Sequence, residues 1–177
     1  IRDSIKPYLI EIKDKTNETV HLGILSNSEV VYIDKEESSQ TIRMHSRIGR
    51  RAPLYCTSLG KIILAYSSDE TLNNYLKNCQ FKEYTNNTIT NKKELTESIK
   101  NIKDLGFAID DEEYEEGIRC IAGPIFNYSK ELIATFSISG PKARMSRKKM
   151  EELKDIIIEY QNKISSRFGY KKKADSI

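Results

Sequence analysis

An α+β domain with a central, mainly antiparallel sheet flanked by helices is the fold class this sequence predicts, on two observations. β-rich runs are joined by short polar turns, Ser26-Asn27-Ser28 and Asn127-Tyr128-Ser129-Lys130, and hairpin-joined strands are antiparallel neighbours. Between and after these runs, apolar residues recur at steps of three and four. The longest such seam is Met150, Leu153, Ile157, Tyr160, Ile164 and Phe168.

In chain order, Ile5, Leu9 and Ile12 predict a short helix over residues 4–15, with Pro7 tolerable only within a first turn. Val20 to Leu25 and Glu29 to Asp34 form a hairpin, and Thr41 to His45 a further short strand. After Pro53 the chain turns helical, capped by Thr57 or Ser58, with Leu59, Ile62, Ile63 and Tyr66 in one stripe. Ser67 and Glu70 have capping-box spacing and open a helix that turns Leu72, Tyr75 and Leu76 inward and ends near Asn78. A polar loop through residues 85–88 follows. Asn91 and Glu94 start a helix whose Leu95, Ile99, Ile102 and Leu105 share a face, and Gly106 stops it. Phe107 to Asp110, Ile118 to Phe126 and Glu131 to Ser139 are strands. The last helix starts at Ser146, and residues 171–177 form a flexible tail.

The chain's 177 residues fit one domain with a sizeable core. A hydrophobic content of 38% with 31% charged residues excludes a disordered chain. No apolar run approaches the length of a membrane span, which points to a cytoplasmic protein. Three cysteines without zinc-type spacing argue against a disulfide framework. A net charge of +3 does not argue for nucleic-acid binding, and the basic groups at Arg47, Arg50, Arg51 and at residues 142–149 read as solvated charge. No helix-turn-helix pattern is visible and the chain begins at isoleucine, so any DNA-binding portion is expected upstream of Ile1. His21 and His45 stand in no nucleophile motif, and P-loop, Rossmann and HExxH patterns are absent. No enzyme activity, cofactor or metal is expected.

Several residues could hold a ligand. Strand alternation puts Leu132, Ala134, Phe136 and Ile138 on one face and Ile133, Thr135, Ser137 and Ser139 on the other, a pattern that a solvated strand also shows. In the preceding strand Ile118, Cys120 and Ala122 share a face, and a cysteine there is ordinarily inert core. Asp110 to Glu116 carry six carboxylates, mostly solvated loop charge. Asp110 differs by ending a strand, a position from which it could point inward. Thr57-Ser58-Leu59-Gly60 opens a helix, where unpaired N–H groups and the helix dipole attract anions, although an ordinary capped helix looks the same.

Three blocks carry a family resemblance: Asn17 to Gly23, Ile48 to Ala65 (IGRRAPLYCTSLGKIILA), and Asp110 to Pro124 (DDEEYEEGIRCIAGP) with Ser137-Ile138-Ser139-Gly140-Pro141. In this order they resemble the effector-binding domain of the IclR family of bacterial transcription regulators. The resemblance implies a GAF-like domain over residues 18–170, preceded in residues 1–17 by the end of a linker helix. It also implies an absent winged helix-turn-helix domain that alone contacts operator DNA, and self-association as a dimer or tetramer.

The resemblance further implies that a small carboxylate effector binds on the backbone amides of Ser58 and Leu59 and the hydroxyls of Ser137 and Ser139. Asp110 would accept from a ligand hydroxyl or hydrate, and Cys120 would shape the pocket. Tyr55 and Cys56 depart from the family pattern and would narrow the pocket mouth, whereas Gly123-Pro124 would widen its floor. A short oxo acid, a sugar acid such as a ketodeoxygluconate and an aromatic acid all remain open. Three alternatives remain open too. One is a GAF-like module of another signalling protein. Another is a small metalloenzyme using Asp110, Cys120 and a histidine. The third is an occluded pocket in a domain that only oligomerises.

Overall fold

A computed structural model of the chain describes residues 1–44 and 46–171. His45 and, of the tail expected over residues 171–177, all but Lys171 lie outside the described residues. The elements are α1 (Arg2–Thr16), β1 (Thr19–Ser26), β2 (Glu29–Glu36), β3 (Arg51–Pro53), α2 (Ser58–Tyr66), α3 (Asp69–Asn78), α4 (Lys92–Leu105), β4 (Ala108–Asp111), β5 (Ile118–Phe126), β6 (Leu132–Pro141) and α5 (Arg147–Arg167). The strands form one sheet in the order β3-β2-β1-β6-β5-β4, and every pairing is antiparallel.

Apolar layers cover both faces of this sheet. Ile5, Leu9 and Ile12 of α1 and the α5 seam pack with Val20, Leu22, Ile121, Phe136 and Ile138. On the opposite face, Leu59, Ile62 and Ile63 of α2 and Leu95, Ile99 and Ile102 of α4 pack with Val30, Ala108 and Ala122. Thr135, Ser137 and Ser139 of β6 are therefore buried, which rules out the solvated-strand reading of their pattern. The β1–β2 turn holds Asn27 and Ser28 at φ 49° and 63°, the positive pair that matches the twist of a tight hairpin.

Several elements differ from the sequence expectation. Residues 41–44 form no strand. The extra strand is β3, three residues paired with β2 and too short for alternation to reveal. Helix α1 begins at Arg2, so Pro7 lies past the first turn and deletes the bond that a residue there would donate to Asp3. Ser68, not Ser67, caps α3 by accepting from the Thr71 amide, while Ser67 donates back to the Ile63 carbonyl. Leu105 is 56% exposed because Gly106 turns the chain before that face reaches the sheet. A bulge between Ile125 and Phe126 reverses the alternation at the start of β6. Leu132 thus packs on the α2 side and Ile133 on the α5 side, opposite to expectation.

Candidate functional site

The strand register creates a row across the sheet: Ser139 of β6 pairs with Cys120 of β5, which pairs with Asp110 of β4. Laterally paired residues project to one face, so three sequence-distant polar groups lie side by side beneath α2. Ser137, two residues from Ser139, shares that face, and the two hydroxyl oxygens are 3.4 Å apart.

Helix α2 begins above this row. The Thr57 side chain accepts from the Gly60 amide at 3.1 Å, and the Thr57 carbonyl accepts from the Lys61 amide at 2.9 Å. The Ser58 and Leu59 N–H groups precede Lys61, the first intrahelical donor, and carry the positive end of the helix dipole. Ser58, Leu59, Asp110, Cys120, Ser137 and Ser139 all line one recess, together with Thr57, Tyr32, Met44, Tyr114, Glu115 and Ile118. Its free space is about 10 Å³, room for roughly one water molecule.

The electrostatics come from residues that composition alone hides. Asp110, 4% exposed, accepts from the Glu113 amide at 2.8 Å. Burial, reinforced by the neighbouring Glu113 carboxylate, pushes the Asp110 carboxyl up to about 7. Glu113 is buried as well and its pKa is raised by burial. It forms an ion pair with Lys61 of α2, and the Lys61 ammonium also donates to the Ile109 carbonyl at 2.6 Å. The acidic run is thus not uniformly solvated: Asp110 and Glu113 turn inward, while Glu115 pairs with Arg50 at 2.5 Å. Arg50 also lies over the Tyr114 ring, so it is not the solvated charge expected. Arg144, from the second basic group, is likewise engaged, with two bonds of 2.7 Å to buried Glu18.

A pH dependence follows. The folded-state pKa of Asp110 lies above its unfolded value near 4, so the native chain holds a proton through that interval. Its contribution is fully present below about pH 4 and is lost as pH rises through about 7, on the order of 4 kcal/mol in total. Urea unfolding of Asp110→Asn is expected to show a flatter stability profile between pH 4 and 7. An unchanged slope would remove Asp110 as the titrating group.

The sequence reading did not single out Tyr32, Met44, Lys61, Glu113 or Tyr114, and it set His21 aside. His21 is fully enclosed, with Nε2 2.7 Å from Ser46 Oγ and Nδ1 3.4 Å from Ser139 Oγ. Burial lowers its pKa to about 3, too weak a base to activate a serine at neutral pH. A polar residue inside β1 was the signal that could have marked it.

Tyr55 and Cys56 do not line the recess. The Tyr55 hydroxyl is tied to the Lys82 backbone, accepting from its N–H at 2.8 Å and donating to its carbonyl at 2.7 Å. Nor does Gly123-Pro124 form the floor. Gly123 faces α5, where a Cβ would lie 2.8 Å from Ile157, and Pro124 lies near Tyr66 and Tyr170. Among the described residues, no group of three His, Cys, Asp or Glu side chains is placed to hold a metal ion. Nor is any helix among them long and apolar enough to cross a membrane.

Residues 1–166 match the family model described as bacterial transcriptional regulator IclR, C-terminal. The chain is 39% identical over 160 residues to the HTH-type transcriptional regulator KdgR of Escherichia coli, covering 90% of this chain and 61% of that protein. The crystal structure of Thermotoga maritima IclR superposes with a TM-score of 0.91 at 41% identity, over 96% of this chain and 68% of that one. The C-terminal domain of E. coli KdgR superposes with a TM-score of 0.86 at 36% identity, over 96% of this chain and 98% of that one.

The chain therefore belongs to the IclR family of bacterial transcriptional regulators, as its C-terminal, GAF-like α+β domain. Membership sets aside the reading as a module of another signalling protein. The relatives are DNA-binding regulators, not enzymes.

Proposed function

We propose that this domain senses a small carboxylate metabolite, a 2-oxo acid or sugar acid, and transmits its presence to operator binding. The observation that carries this reading is the convergence of Ser58, Leu59, Asp110, Cys120, Ser137 and Ser139 on one recess. The ligand carboxylate would lie on the Ser58 and Leu59 amides, where N–H groups and dipole favour an anion. Ser137 and Ser139 would hydrogen-bond its oxygens, Cys120 would set the shape of the wall, and Asp110 would accept from a ligand hydroxyl or hydrate.

A three-carbon acid does not fit about 10 Å³, so Met44, Tyr114 and Glu115 must move aside as it enters. Tyr114 and Glu115 belong to the turn between β4 and β5, held in place by the Arg50 contacts. Binding would thereby select one position of that turn, and only such differential affinity shifts an equilibrium. In this scheme α1 is the end of a linker to an upstream DNA-binding domain, and residues 18–170 sense and self-associate as a dimer or tetramer. Operator DNA is touched only by the upstream domain, and the protein works in the cytoplasm.

The narrowness of the recess favours a second reading, in which the domain binds no metabolite and only oligomerises. A thermal-shift screen with glyoxylate, pyruvate, sugar acids and hydroxybenzoates separates the two. At about 100-fold over Kd, binding is expected to add about 2.7 kcal/mol, roughly 5–10 °C, and Ser137→Ala is expected to reduce the shift. No shift with any acid, in a folded protein, would leave the oligomerisation reading standing.

A further inference from the structure

His21 lies opposite Ser137 in the β1–β6 register, and its ring reaches across to Ser139, 118 residues away in sequence. Its low pKa, held near 3 by burial and then by Lys35 and Arg50, keeps the imidazole neutral. A neutral imidazole has one N–H and one lone pair, so its two serine neighbours must play opposite parts. The Ser46 backbone carbonyl already accepts from Lys35, and its hydroxyl proton has no acceptor other than His21 Nε2 among the described residues. We infer that Ser46 donates to Nε2, 2.7 Å away, and that the ring hydrogen resides on Nδ1, facing Ser139 Oγ at 3.4 Å.

Ser139 then accepts from His21 and keeps its own proton for the recess. Its other neighbours there, the Ser137 hydroxyl at 3.4 Å and the Cys120 thiol, are weaker acceptors than a carboxylate. His21 is thus a positioning residue that fixes Ser139 as a hydrogen-bond donor. The recess thereby selects acids that present an acceptor oxygen at Ser139 over acids that present a hydroxyl there. The selectivity rests on the carboxylate reading above; the tautomer does not.

The deciding experiment is a long-range ¹H–¹⁵N spectrum of the ¹⁵N-labelled chain between pH 6 and 8, with His45→Gln leaving His21 as the only imidazole. The expected result is a protonated, pyrrole-type Nδ1 and a pyridine-type Nε2, unchanged across the range. Hydrogen on Nε2, or a ring that titrates near the ordinary histidine value, would overturn the inference. Pyruvate titrations add a functional readout. His21→Asn, whose amide N–H occupies the Nδ1 position, is expected to retain affinity, and His21→Phe to lose about tenfold, the scale of one hydrogen bond. Equal affinity of two folded variants would also overturn it. If the unsubstituted chain fails to bind pyruvate or any other acid, the carboxylate reading fails, and the spectrum still decides the tautomer.

Discussion

Replacing Lys61 by methionine is expected to destabilise the domain by about 3–5 kcal/mol at pH 8, because it leaves a buried carboxylate without its counter-charge. The Lys61 and Glu113 side chains are only 3% and 11% exposed, so water compensates little. Glu113 Oε2 is already buried without a partner, and Asp110 adds a second carboxyl within the same cluster. The sign of the pH dependence follows from the raised pKa values of both carboxyls. As pH falls they take up protons, the uncompensated charge disappears, and the variant and parent should converge. Urea midpoints at pH 8 and pH 5.5 check this; an equal loss at both would mean that Lys61 acts through packing of its stem and not through its charge.

The second large effect is expected at Gly60. In an ordinary helix, replacing glycine by alanine gains about 1 kcal/mol. Here a Cβ would lie 2.4 Å from both the Cα and the carbonyl oxygen of Leu54, and backbone cannot yield as a flexible side chain can. Gly60→Ala is therefore expected to cost about 3 kcal/mol, at the upper end of what overpacking does. It would also lift the first turn of α2 away from the segment that follows β3. The Ser58 and Leu59 amides lie in that turn, so the proposed carboxylate binding should fall with stability. A variant as stable as its parent, or more so, would contradict this seating of α2.

Much of the architecture was legible because it is encoded locally. The α5 seam, the Thr57 and Asn91 caps, Gly106 and the two hairpin turns each act through residues within a few positions of one another. Where the local signal was short or shared it misled. Ser67 and Ser68 are both plausible caps, and only the geometry of α3 chooses Ser68. Strand β3 has three residues, too few for a period-two pattern. The bulge at Ile125/Phe126 reversed an alternation that sequence treats as continuous.

By itself, the sequence determined the α+β class and the family, and the family resemblance named the six residues that line the recess. Strand parity and the helix start set which way each of those side chains or amides points. The tertiary structure decided the electrical character and the openness of the recess. Lys61 and Glu113 are 52 residues apart and His21 and Ser139 are 118 apart, so neither pairing leaves a periodic trace in the chain. Burial then gave those groups their chemistry: it raised Asp110 to about 7 and held His21 neutral. Desolvation of this kind depends on α2 closing over the sheet, which no stretch of neighbouring residues specifies.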